Sequence, residues 1–65
     1  MAQGKSAEEI SEYRRKQIFL ALVDAQDHGM GVALSRKKIA KRFGLTVAQI
    51  RRIEQEGLDR QWPPL

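Results

Sequence analysis

The chain has 65 residues, 42% of them hydrophobic and 31% charged, which makes one small globular domain able to bury only about 60% of its unfolded surface. It contains no cysteine, which excludes a disulfide framework and a thiolate zinc site. The longest apolar run, Ile18 to Val23, is far too short to span a membrane and too deep in the chain to act as a signal peptide, so we expect a cytoplasmic protein with no membrane partner.

Residues 1–5 read as a disordered leader. Ser6 followed three residues later by Glu9 is a capping box that opens a long helix, predicted over residues 7–28. Glu8, Glu9 and Glu12 supply an acidic first turn suited to the helix dipole. Its apolar positions, Ile10, Tyr13, Ile18, Phe19, Leu20, Leu22 and Val23, form a narrow stripe at first and cover almost the whole circumference later. Either the helix lies in a groove between two others and is covered from both sides, or part of it meets a second copy of the chain, a homodimer through helix 7–28. A domain this small needs its apolar residues for its own core, which favours the first arrangement. Gly29-Met30-Gly31 ends the helix, and Val32-Ala33-Leu34 leads to Ser35, the expected N-cap of the next.

From residue 35 to 61 the pattern is that of a helix-turn-helix. Ile39, Ala40 and Phe43 line one side of a helix, and Ile50 and Ile53 line one side of the following helix. The two stripes must face each other. Gly44 falls where the first helix stops and turns, a position that usually needs positive φ, and Ala40 is small enough for a close crossing. Thr46 with Gln49 is a second capping box, so Thr46 is the expected N-cap. At about 100° per residue, Ile50, Ile53 and Gly57 fall on one side and Ala48, Arg51, Arg52 and Gln55 on the other. The outer set suits a major groove: arginine donates two hydrogen bonds to guanine, glutamine pairs with adenine, and alanine touches a thymine methyl. A merely solvated polar face is the plainer alternative.

Charge placement favours DNA. Residues 1–34 carry four basic and five acidic side chains, a net of −1, whereas residues 35–65 carry eight basic and three acidic ones, a net of +5. Arg36, Lys37, Lys38, Lys41 and Arg42 are placed to hold phosphates while the second helix reads bases. Gly57 suits either a C-cap or a costly helix interior. Trp62-Pro63-Pro64-Leu65 stops any helix by Gln61 and forms a hydrophobic tail over 62–65. Its Trp62 and Leu65 either fold back over the core or anchor another protein.

No catalytic or metal-binding constellation is legible. His28, the only histidine, sits at an expected helix end with no second imidazole or thiol beside it, and Gly29-Met30-Gly31 lacks the lysine and hydroxyl of a phosphate-binding loop. We therefore expect no enzyme activity, no metal and no cofactor.

The stretch from Ile39 to Glu54, with Ile39-Ala40-Lys41-Arg42-Phe43-Gly44, Leu45-Thr46 and Ile50-Arg51-Arg52-Ile53-Glu54, resembles the C-terminal helix-turn-helix of sigma-70-type transcription initiation factors, region four. The likeness continues through Leu58. It implies recognition of a promoter element in the major groove, with Arg51 in the place of a base-reading arginine and Arg52 in that of a neighbouring polar contact. It also implies proximity to RNA polymerase. A charged pair early in the family's second helix is replaced here by Val47 and Ala48. A working sigma factor needs a further domain, so the likeness implies an isolated region-four-like regulator or a fragment.

The expected fold is all-α, a long N-terminal helix packed across a helix-turn-helix. The expected function is regulation of transcription by binding double-stranded DNA, with the helix 47–57 in the major groove. Thr46, Val47, Ala48, Arg51, Arg52 and Gln55 are the expected base readers, Thr46 and Val47 lying at the groove edge. The alternative is a protein-interaction module that docks on RNA polymerase or another transcription protein and offers its basic face to an acidic partner.

Overall fold

In a computed structural model, which describes residues 10–65, the Ser11 hydroxyl accepts a hydrogen bond from the Arg14 N–H at 3.1 Å and α1 runs Glu12–Asp27. The helix expected over 7–28 thus begins later, at Glu12. Ile10 and Ser11 lie outside it, and the leader 1–5 and the Ser6–Glu9 box lie outside the described residues. Ile10 turns into the core and is 8% exposed, the Arg15 guanidinium donates to its carbonyl, and the chain bends just ahead of Ser11.

The second helix, α2, runs Val32–Phe43 from Gly31 as N-cap, so it begins three residues before the expected Ser35. Ser35 is not a cap. It is fully buried, its hydroxyl donates to the Val32 carbonyl at 2.7 Å, and it accepts from Gln26 Nε2 at 3.1 Å. Val32 and Leu34 occupy an exposed first turn, which is why their apolar character gave no helical signal.

The third helix, α3, runs Val47–Arg60. It passes through Gly57, which is buried in the helix interior rather than at its end. A Cβ at Gly57 would overlap the Phe19 ring, coming within 2.6 Å of Cγ. The missing side chain lets α1 and α3 approach at that point.

All three helices end in the same way. The N–H groups two residues past the last helical turn reach back to Ala25, Ala40 and Gly57 carbonyls, from Met30, Leu45 and Trp62 at 3.2, 2.8 and 3.0 Å. These are the long bonds of Schellman motifs. Gly44 provides the left-handed residue after α2 with φ 71°, as its sequence position required, whereas after α3 that conformation falls to Gln61 with φ 53°.

The helices pack mutually, each against the other two, in an all-α architecture with α1 across the α2–α3 pair. Ile18, Phe19 and Leu22 of α1 meet Ile39 and Ala40 of α2 and Ile50 and Ile53 of α3 in one core. The facing stripes of the helix-turn-helix are therefore present. Trp62 folds back, 4% exposed, with its ring edge-on to Phe19 at 6.0 Å, while Leu65 stays exposed. The tail thus divides its two expected roles: the tryptophan covers the core and the leucine does not.

Two ion pairs tie the helices together. Arg15 of α1 grips Glu56 of α3 through Nε to Oε1 at 2.8 Å and Nη2 to Oε2 at 3.1 Å. Arg36 of α2 holds Glu54 of α3 through Nη2 at 2.8 Å. Among the described residues no helix is long and apolar enough to cross a membrane.

Candidate nucleic-acid interface

The orientation of α3 starts at its N-terminus. The Thr46 hydroxyl accepts from Gln49 N–H at 3.1 Å, and Gln49 Oε1 accepts from Thr46 N–H at 2.8 Å, so the reciprocal capping box forms as expected. This fixes the first turn, and the buried Ile50, Ile53 and Gly57 fix the rotation of the helix. The opposite side then projects Ala48, Arg51, Arg52 and Gln55, all exposed. Val47 is exposed at the near edge, 38% accessible, beside an exposed Thr46.

This outer strip of α3 borders a shallow groove of about 510 Å³ whose opposite wall is Arg36 of α2. Four of the six expected base readers, Ala48, Arg51, Arg52 and Gln55, meet in that groove. Thr46 and Val47 are not among its lining residues, although they directly precede Ala48 at the start of α3.

The structure adds acidic side chains that the sequence reading passed over. Gln55 Nε2 donates to Asp59 Oδ1 at 3.0 Å, which turns the amide along the helix. Glu54 accepts from Arg36 Nε at 2.9 Å, and Gln26 Nε2 stands 3.5 Å from its other oxygen. Arg36, expected at a phosphate, therefore has its charge matched by Glu54 in a partly buried pair. An arginine and a glutamate 18 residues apart in different helices leave no short-range signature, which is why spacing did not reveal the pair. Leu58, 49% exposed, also lines the groove; its place one turn beyond Gln55 was readable from the helical period.

The remaining expected phosphate ligands lie along α2 outside the groove. Lys37, Lys38 and Lys41 are exposed. Arg42 is exposed too, but its guanidinium lies over the Phe43 ring at 5.1 to 5.4 Å together with that of Arg14, Arg14 being the nearer. This stacking draws Arg42 toward α1.

Elsewhere, His28 Nδ1 donates to the Asp24 carbonyl at 2.8 Å. That bond, and then the Asp24 carboxylate, hold its pKa above the ordinary histidine value. The Glu12 carboxyl is held below its usual range by a hydrogen bond from Lys16 and then by the charge of Lys16. Neither lines the groove along the α3 strip. Among the described residues no group of three histidine, cysteine, aspartate or glutamate side chains is placed to hold a metal ion. Comparison with known protein families, with characterised proteins and with solved structures finds no match to this chain.

Proposed function

We propose that this domain is a DNA reader of transcription control without enzyme activity, acting in the cytoplasm at the nucleoid and resembling a free-standing region four of sigma-70-type factors. The observation that carries the reading is the outer strip of α3, where Ala48, Arg51 and Arg52 stand exposed on a helix whose rotation is fixed by Ile50, Ile53 and Gly57. A helix presented in this way fits the major groove, with its N-terminal half toward the bases. Arg51 donates to a guanine, Ala48 touches a thymine methyl, and Val47 meets the groove edge. Lys37, Lys38 and Lys41 neutralise phosphates and set the register. Arg36 acts first on Glu54 and only secondarily on DNA.

The test is selection from random-sequence duplexes with purified protein, followed by titration of the enriched site against scrambled duplex at two salt concentrations. A defined site bound far above scrambled duplex supports the reading. Arg51→Ala then lowers specific affinity by about 1 to 3 kcal/mol and relaxes one base position, whereas Lys37→Ala weakens all duplexes about equally and reduces the salt slope by about one. Equal behaviour of the two variants overturns the assigned roles.

A second reading rests on the apolar members of the same strip, Val47 and Leu58, which are 38% and 49% exposed. They suit docking on RNA polymerase or another transcription protein. Weak, sequence-blind binding with a steep salt dependence in the selection favours this reading over the first.

A further inference from the structure

The core accounts for one side of α1. Its other side is also ordered, because Arg14, Gln17, Ala21 and Asp24 recur at intervals of three and four residues along one stripe, the a and d spacing of a helix that meets another helix. Tyr13 and Leu20, 74% and 45% exposed, flank that stripe. With Phe43 and Arg42 they wall a groove of about 580 Å³ that contains no α3 residue. The face is uncharged in its middle, at Gln17, Leu20 and Ala21, basic at the Arg14 end and acidic at the Asp24 end.

We propose that this face pairs with the same face of a second copy of the chain, α1 against α1 in antiparallel fashion about a two-fold axis. The charge pattern selects that occupant. Arg14 and Asp24 are ten residues apart, about 15 Å along the helix, and an antiparallel partner brings each Arg14 onto the other copy's Asp24. The same register sets Gln17 against Ala21 of the second copy, alternating a and d layers as antiparallel pairs do, and brings the two Leu20 side chains together beside the axis. A parallel partner would place like charges together at both ends. The small side chain of Ala21 allows the helices to approach closely. Stacking on Phe43 at 5.1 Å holds the Arg14 guanidinium at the groove. Asp24 is faced by His28 on its own helix, 3.5 Å away; its exposed carboxylate accepts a second cation without giving up that neighbour.

The pairing stands independently of DNA. Where the DNA reading holds as well, two copies offer two α3 helices, and the selected site is an inverted repeat.

The test is analytical ultracentrifugation of the full chain, without DNA, from micromolar to millimolar concentration, on the wild type, Arg14→Glu, Asp24→Arg and the double variant. Arg14→Glu adds an acid near the N-terminus of α1 and Asp24→Arg a base near its C-terminus, so both suit the helix dipole and keep α1 folded, as far-UV circular dichroism verifies. The expected result is a concentration-dependent dimer whose dissociation constant rises by about tenfold or more in each single variant, since two symmetric pairs are reversed at once. The double variant returns to within about threefold of wild type. Leu20→Glu abolishes the dimer, as a check independent of the charge pairs. A monomer at every concentration overturns the proposal, and so does a dimer that ignores the single reversals or is not restored by the double one. A monomer that still selects a DNA site overturns the pairing alone and leaves the DNA reading standing.

Discussion

Replacing Gly57 by alanine sets two known effects against each other, and the structure decides the sign. Inside an exposed helix the change stabilises by about 1 kcal/mol, because alanine loses less backbone entropy than glycine. Here the new methyl would come within 2.6 Å of Phe19 Cγ, about 1 Å closer than carbon atoms normally approach. The ring has little room to move, being fully buried in the core with the Trp62 ring edge-on to it at 6.0 Å. Overfilling a packed core costs about 1 to 3 kcal/mol, and where neither wall is flexible the upper part of that range applies. The expected net effect is a loss of about 1 to 2 kcal/mol, or on the order of 10 °C in melting temperature for a domain of this size. Urea denaturation followed by circular dichroism at 222 nm measures it. In a Phe19→Leu background the space is opened, and the same Gly57→Ala change should become neutral or stabilising, which gives a coupling energy in the double-mutant cycle. A Gly57→Ala single variant as stable as wild type, or more stable, would refute the close crossing of α1 and α3.

Gln61→Gly should stabilise the domain by about 1 kcal/mol in the same urea assay, because a left-handed residue with φ 53° strains any side chain that carries a Cβ. Ser35→Ala should lose about 1 kcal/mol, since it removes both the bond to the Val32 carbonyl and the acceptor for Gln26. Glu54→Ala should act in opposite directions on stability and binding. It releases Arg36 and removes a carboxylate from the groove, so non-specific duplex affinity and salt slope both rise while the urea midpoint falls. For pH, the raised pKa of His28 means a contribution fully present below the ordinary histidine value and lost as pH rises through the folded value. The difference in melting temperature between wild type and His28→Gln should therefore be full at about pH 5.5 and shrink as pH rises above the ordinary histidine value near 6.5.

The helix-turn-helix was the legible part of this chain because each of its signals is local. Thr46 and Gln49 cap each other across three residues, Gly44 takes the positive φ its place demands, and Ile50 with Ile53 faces Ile39 with Ala40. Two helix starts were less legible. The start of α1 is one case: Ser11 caps it, just after Ile10 enters the core, and the sequence reading did not single out that serine. Ser35 looked like a cap because serine is favoured there; in fact it serves the fourth position of α2, where its hydroxyl returns to a carbonyl of the preceding turn. The candidate site was readable as a face, since a helical period of about 3.6 residues places Ala48, Arg51, Arg52 and Gln55 together. Its acidic tethers were not, because Arg36 with Glu54 and Arg15 with Glu56 join residues far apart in sequence.

Those tethers bear on how a domain with so small a core could present a helix with the accuracy that the proposed base reading would need. A bidentate arginine contact to a guanine is lost when the helix is misplaced by about 1 Å. The core sets the rotation of α3 through Ile50, Ile53 and Gly57 but grips only one side of it. Arg15 and Arg36 approach α3 from different helices and hold a single turn of it from different sides through Glu56 and Glu54, which resists sliding and rocking of α3 in ways that apolar packing does not. Partly buried pairs of this kind add little to stability. Their contribution is directional: loosening either should broaden the base preference of the domain before it lowers the melting temperature, and Arg15→Met, which keeps the apolar stem while removing the grip on Glu56, separates the two. A selected site that stays sharp in Arg15→Met while stability falls would assign this tether to folding alone.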